Sequence, residues 1–211
     1  LKLRGNGIGC QGAAQIAAAL KTNSTVTNLD ISGNGIGGHG TEQIAAALSN
    51  NITLRSLDLG ANTCGTHGAE QIAATLCENS SLTALDFRYN RIGAEGAEKL
   101  APALQNNTTV TSLGLRGNGL QAQGVAHIAA ALCNSASLTT VDLSANGIGA
   151  RGAEQIAAAL HKNSKLKTLD LSGNNIGAQG AKEIAASLCE NDALTTLDLK
   201  ENMIGAKGCV P

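Results

Sequence analysis

An asparagine returns every 28 residues along the whole chain: Asn6, Asn34, Asn62, Asn90, Asn118, Asn146, Asn174 and Asn202. No insertion breaks that spacing in 211 residues. A linker or second globular domain would interrupt it, so residues 1–211 read as one repeat domain of about 7.5 copies. A period of this length implies a solenoid, in which each copy packs only on its neighbours.

Within each copy the hydrophobic period changes. In the sixth, Val141 and Leu143 alternate with Thr140, Asp142 and Ser144, the pattern of a strand with one buried face. Ala153, Ile156, Ala157 and Leu160 then fall at i, i+3, i+4 and i+7, one face of a helix. Neither element is stable alone. Stacked, each strand pairs in parallel with the next and each helix covers the sheet, and such a crossover is right-handed. The fold expected is an α/β right-handed solenoid, with a parallel sheet on the concave face and helices on the convex face. The bend follows from size: parallel strands sit ~4.8 Å apart, whereas packed helices need roughly 8–10 Å. Alanines such as Ala157, Ala158 and Ala159 let helices approach closely and keep the curvature gentle. Only Phe87 and Tyr89 are aromatic, so the interior must be filled with Leu, Ile, Val and Ala.

The recurring asparagine has a structural task. Where the strand turns away, backbone groups lose their ladder partners, and a carboxamide donates and accepts at once. Asn90, for example, is expected to bond backbone in its own turn and in the adjacent one. The glycine column Gly12, Gly40, Gly68, Gly96, Gly124, Gly152, Gly180 and Gly208 never varies, which predicts close packing or positive φ where each helix begins. Helices should end near Asn23, Asn51, Asn79, Asn107, Asn163 and Asn191, with asparagine in a left-handed cap.

The pattern LxxLxLxxNxIGxxGAxxIAxxL, in eight in-phase copies, resembles the ribonuclease-inhibitor-like class of leucine-rich repeats along the entire chain. That class includes ribonuclease inhibitors, NOD-like-receptor repeat domains, Ran-type GTPase-activating proteins and bacterial effectors. The run from Asn107 to Leu113 is most similar to NLRC3-like and bacterial members. The resemblance implies a curved scaffold that binds another protein; it does not name the partner.

Runs of the form GxGxxG start at Gly7, Gly35 and Gly147, each after a strand and before a helix. A dinucleotide site is nevertheless rejected. Other repeats replace the first glycine with Thr63, Arg91, Asn175 or Met203, and short solenoid strands offer no crevice. Cys77, Cys133 and Cys189 share a column but lie two repeats apart, ~16–20 Å on the helix side, too far for a disulfide. Cys64 replaces a buried Ile, Cys209 a buried Ala, and Cys10 has no counterpart in the next repeat. All six cysteines are expected to be reduced, which points to a cytoplasmic location. No cysteine spacing suits a metal, and neither metal nor cofactor is expected. His39 and His67 occupy one column in adjacent repeats and face one another or stand as separate loop histidines. The sequons at Asn23, Asn51, Asn79 and Asn107 read as unglycosylated helix ends. Pro102, inside a helix, predicts a local kink.

Candidate contacts lie on the concave face. One column reads Asp30, Asp58, Asp86, Gly114, Asp142, Asp170, Asp198. This acidic stripe is common in the class and is too uniform to supply a catalytic pair. It breaks at Gly114, and near the break stand the least typical side chains: Arg88 and Arg116, which share a column with Ser32, Gly60, Ser144 and Ser172, Tyr89 where most others have Gly or Ala, and Arg91. Arg88, Tyr89, Arg91 and Arg116 around Gly114, with Asp86 and Asp142 as flanking acceptors, have the composition of a protein-binding hot spot.

A net charge of -1 provides no field for nucleic acid. No apolar run approaches the roughly 20 residues that span a bilayer. The expected function is therefore a protein–protein interaction scaffold, not an enzyme. The alternative is a Ran-type GTPase-activating protein, for which no local signature is present. Ribonuclease inhibition fits poorly, because that subfamily is richer in Cys and carries concave Trp and Tyr. The chain is expected to be a fragment of a longer array without capping repeats. Its ends would then expose Leu1, Leu3, Ile8, Ile16 and Leu20 on one side and Leu197, Leu199 and Ile204 on the other, favouring self-association or fraying.

Overall fold

A computed structural model describes residues 1–205. Helix and strand alternate strictly: α1 Gly9–Leu20, β1 Asn28–Asp30, α2 Gly37–Leu48, β2 Ser56–Asp58, α3 Gly65–Glu78, β3 Ala84–Asp86, α4 Gly93–Asn106, β4 Ser112–Gly114, α5 Gln121–Asn134, β5 Thr140–Asp142, α6 Gly149–Lys162, β6 Thr168–Asp170, α7 Gly177–Leu188 and β7 Thr196–Asp198. The strands form one parallel sheet in sequence order. Register is residue-for-residue across the repeat, with Leu29 beside Leu57, Leu57 beside Leu85, and so on to Leu197. An isolated parallel bridge between Lys2 and Asp30 continues the sheet at its first edge. The chain is thus a right-handed α/β solenoid, with the narrow sheet inside the bend and the wider helices outside.

The core is one continuous column of stacked layers. Leu57 and Leu59 from β2 and the residue after it, Ile72 and Leu76 from α3, and their counterparts in each central repeat are at most 2 % exposed. Phe87 is fully buried in the column that elsewhere holds Leu or Ile, so the one phenylalanine packs as a large aliphatic.

Each turn after a strand uses three left-handed residues, one before the recurring asparagine and one and three after it. In the second repeat these are Gly33, Gly35 and Gly37, at φ +65°, +62° and +66°. The GxGxxG runs are two of these positions plus the invariant glycine, a product of turn geometry. The invariant column itself is explained by close packing and not by positive φ. A Cβ on Gly40 would lie 2.8 Å from Cβ of Ile36 and 3.2 Å from Cβ of Ala13 in the preceding repeat. Gly208 lies outside the described residues.

One local expectation is corrected. Asn79, Asn107 and Asn163 end their helices in extended conformation, for example φ -76° and ψ 122° at Asn79, and α1, α2 and α7 end on right-handed residues. No left-handed asparagine cap is used at these helix ends. The carboxamides instead form a second ladder along the other edge: Asn79 Nδ2 donates to the Leu48 carbonyl, 2.7 Å, and its Oδ1 accepts the N–H groups of Ser81 and Leu82, 3.0 and 2.8 Å. Helix α4 continues through Pro102, which sits on its exposed face, where water can satisfy the freed carbonyl.

Candidate protein-binding face

The asparagine ladder fixes where the sheet face ends. Asn90 Nδ2 donates to the carbonyls of Phe87 in its own turn and Leu59 in the preceding one, both 3.0 Å. Its Oδ1 accepts the N–H groups of Asn62 and Cys64, 2.9 and 3.2 Å. No buried side-chain nitrogen or oxygen among the described residues lacks a partner. The strand residues that precede each asparagine are therefore held in fixed columns.

In the acidic column each carboxylate first serves its own turn. Asp58 Oδ1 accepts the Gly60 N–H at 2.8 Å, and Asp142 Oδ1 accepts both the N–H and the hydroxyl of Ser144, 2.9 and 2.6 Å. Half of each carboxylate is thus structural, and the remaining oxygen faces the inner surface. The stripe is less uniform than the sequence implies. Burial, aided by the like charges of Asp58 and Asp142, pushes the Asp86 carboxyl above the usual carboxylate range, against the pull of the Arg88 N–H and guanidinium. At Asp30 burial also pushes upward, but hydrogen bonds from Ser32 and the charges of Arg4 and Arg88 outweigh it and hold that carboxyl low.

Missing side chains shape the rest. A Cβ on Gly60 would meet Arg88 Cγ and Asp58 Oδ1, each at 3.0 Å. Arg88 uses that space to lie back over the second strand, its Nη2 3.2 Å from carboxylate oxygens of both Asp58 and Asp86. A Cβ on Gly114 would stand 3.0 Å from Asp86 Oδ1, so the notch is occupied in part by the Asp86 carboxylate. Around it lies a hollow of about 300 Å³ over β2 to β5, lined by Asp58, Asp86, Gly114 and Asp142 among others. A larger hollow of about 420 Å³ lies on the helix side, between α5 and α6. Its polar lining is Gln121, Gln123, Arg151 and Gln155, without carboxylates, whereas Asp58, Asp86 and Asp142 converge on the concave hollow, which is the better-built site.

Tyr89 and Arg116 form a clasp beside this hollow. The Tyr89 ring lies where a Cβ on Gly117 would be, which only glycine permits. Arg116 Nε donates to the Tyr89 hydroxyl at 2.6 Å, its guanidinium carbon sits 5.9 Å from the ring centroid, and Nη1 donates to Ser144 Oγ at 3.1 Å. The bond to Tyr89 raises the Arg116 pKa further. A continuous path thus links Tyr89, Arg116, Ser144 and Asp142. Tyr89 stays 45 % exposed. Arg91 is exposed two residues on, outside this path. Of the sequence candidates, Arg88, Asp86 and Gly114 form one cluster and Tyr89, Arg116 and Asp142 another, side by side on the sheet. Asp58 and Ser144 were not singled out as members. Their signal is the column itself, since each sits one repeat from an arginine long enough to cross the ~4.8 Å strand spacing.

The family profile described as Leucine Rich repeat matches residues 22–45, 78–101, 106–129, 134–157, 162–185 and 191–211, together about two thirds of the chain. Among curated proteins none matches the sequence. The fold is similar to that of LegL7, a leucine-rich repeat-containing protein from Legionella pneumophila, with TM-score 0.58 and 23% identity over 93% of this chain and 72% of that one. It is also similar to Leiomodin-1 Actin-Binding Site 2, with TM-score 0.56 and 19% identity over 84% of this chain and 87% of that one. A third is the tropomodulin C-terminal domain of Caenorhabditis elegans, with TM-score 0.56 and 13% identity over 71% of this chain and 92% of that one.

Proposed function

Because this chain belongs to the leucine-rich-repeat family, we propose that it is a protein-interaction scaffold that holds its partner on the concave sheet around β3 to β5. The observation that carries this reading is the Tyr89–Arg116 clasp, held at both ends, beside Arg88 braced between two carboxylates. Ordering long side chains at an interface costs ~0.5–1.5 kcal/mol each. Here that cost is met within the free protein, and Tyr and Arg are the residue types that dominate binding energy. The Leiomodin-1 domain, named as an actin-binding site, is an instance of this architecture engaging a protein. Its 19% identity carries the fold alone, so actin is not inferred as the partner.

The chemistry favours a partner whose contacting segment carries both signs: a carboxylate to meet Arg91 and the outer edge of Arg116, and a basic group to enter the hollow between Asp86 and Asp142. Such a cation would also relieve the carboxylate crowding. We read the face as a binding surface and not a catalytic one. We also place the chain in a reducing, cytoplasmic setting. Cys10, Cys64, Cys77, Cys133 and Cys189 are free, and the amide nitrogens of Asn51, Asn79 and Asn107 are spent inside the second ladder, which supports unmodified sequons at those three positions.

The test is comparative capture with immobilised wild type, the double variant R88A/Y89A and the outer-face control R151A. A partner held by wild type and R151A should bind R88A/Y89A at least about tenfold more weakly, or ~1.4 kcal/mol. A partner retained equally by all three would place binding elsewhere on the molecule.

A further inference from the structure

Where α2 and α3 begin, on the edge at which strands pass into helices, His39, Glu42 and His67 converge. His39 and Glu42 lie three residues apart on one helix face, and His67 is the counterpart of His39 one repeat later. Glu42 Oε2 stands 3.4 Å from Nδ1 of His39 and 3.2 Å from Nε2 of His67. The two rings meet edge to face with centroids 5.4 Å apart. All three donor atoms lie within 4.8 Å of one another.

We propose that this triad binds a divalent late first-row metal ion, Zn²⁺ foremost, clipping the second repeat to the third. Two imidazole nitrogens and one carboxylate oxygen are a donor set that zinc accepts, while Mg²⁺ and Ca²⁺ favour all-oxygen sites. The spacing agrees. Tetrahedral zinc with bonds of ~2.0–2.1 Å holds neighbouring donors about 3.3–3.4 Å apart, and the two separations from Glu42 are 3.4 and 3.2 Å. Those distances also suit hydrogen bonds from two imidazoles to a carboxylate, which use the same three atoms; the ion would take them over once each ring turns its nitrogen lone pair from the carboxylate toward the metal.

The surroundings favour a built site over a chance meeting. The other residues in the histidine column are Gln11, Glu95, Gln123, Arg151, Gln179 and Lys207, so the two histidines occur only in adjacent repeats. Gly38 is the one glycine in a column that otherwise reads Cys10, Thr66, Ala94, Ala122, Ala150, Ala178 and Ala206. A Cβ there would lie 3.2 Å from Cδ2 of His67, so its absence seats the imidazole against α2. The side chains of His39, Glu42 and His67 are 84%, 40% and 43% exposed, which leaves a coordination position open to solvent. Water or a partner's side chain would complete the sphere there.

The histidines are their own reporters. The chain has four, and His127 and His161 lie outside the triad. Imidazole NMR signals are followed while Zn²⁺ is added to the whole chain. His39 and His67 should respond together and saturate at one equivalent, ahead of the other two, and chelation should reverse the change. E42Q and H67Q, at exposed positions, should keep the wild-type fold by circular dichroism and weaken the His39 response at least about tenfold. Equal response of all four histidines, uptake by exposed thiols that leaves His39 and His67 unmoved, or unchanged affinity in E42Q would each overturn the proposal.

Discussion

Thr41 and Cys64 are two departures from the repeat that make sense only together. One replaces the alanine and the other the isoleucine of adjoining buried columns, and the Thr41 hydroxyl donates to Cys64 Sγ at 3.0 Å. Burial pushes the Cys64 thiol up to about 12, so its nucleophilic thiolate is almost absent at neutral pH. Alkylation of native protein followed by peptide mapping should therefore modify the exposed Cys10, Cys77 and Cys189 and spare Cys64 until denaturant is added; early labelling of Cys64 would contradict its burial. Asp86 gives a second residue-scale test. Its folded pKa is raised, so the native state keeps this proton to higher pH than the unfolded chain does. The stabilising contribution is present below the ordinary carboxylate range and is lost as pH rises through the raised value. NMR titration should place Asp86 above Asp30, and R88A should move Asp86 higher still because it removes the opposing charge. An Asp86 that titrates with or below Asp30 would refute this. A third test concerns the ladder: Asn146 Nδ2 donates to the Leu115 and Leu143 carbonyls at 3.0 and 2.9 Å. N146L should cost at least ~1–3 kcal/mol, read as a fall in the denaturant midpoint.

At the scale of the element, the repeat is legible in the sequence because strand and helix have different hydrophobic periods, and both recur in phase. Register needs no further information, since a slip of one residue would turn Leu57 outward and Asp58 inward. The helix ends were misread for a physical reason. Asparagine suits both a left-handed cap and a buried bridge, and only the positions of the Leu20, Leu48 and Leu76 carbonyls decide between them. The binding face was legible by composition and not by state. That Arg88 is braced depends on absent atoms at Gly60, and that Tyr89 lies flat depends on Gly117, so neither shows in a column of residue types. Nor does backbone conformation single the site out. Tyr89 and Arg91 sit at φ +54° and +56°, but so do Ala61, Thr63, Gln121 and Ala145 at similar values, because every turn demands it. Gln121 stands where the other described repeats have glycine, at φ +55°. A side chain in this region costs roughly 1 kcal/mol, set against the greater freedom glycine has when unfolded. Q121G should thus leave stability unchanged or raise it by up to about 1 kcal/mol, and a clear loss would mean the Gln121 side chain makes a contact of consequence.

Over the whole molecule, burial is graded along the stack. In the middle, Leu57, Leu59, Leu85 and Ile92 are at most 2 % exposed. Toward the first repeat Leu3, Ile8 and Ile16 are only half-buried and Leu1 is 58 % exposed, although Leu20, which reaches further under α2, is buried at 4 %. In a solenoid, stability is nearly a sum over repeats and the interfaces between neighbours, so a repeat covered on one side has one stabilising interface where a central repeat has two. The half-exposed side chains at that end forgo part of the ~1.5–3 kcal/mol that full burial of each would contribute. For the 211-residue chain by itself, local opening should therefore be cheapest at α1 and become costlier inward, reaching the global value only around β3 to β5. Because the Tyr89–Arg116 clasp and the Asp86 hollow sit in that protected middle, the face proposed to bind is held by the most stable part of the array, while the first repeat opens without disturbing it. Native-state hydrogen exchange would read this directly: protection of amides in α1 should be lower than in α4 and α5, with the fall setting in before the clasp is reached. Uniform protection from α1 to α5 would mean that the chain unfolds as a single cooperative unit, and the nearest-neighbour description would then fail for this molecule.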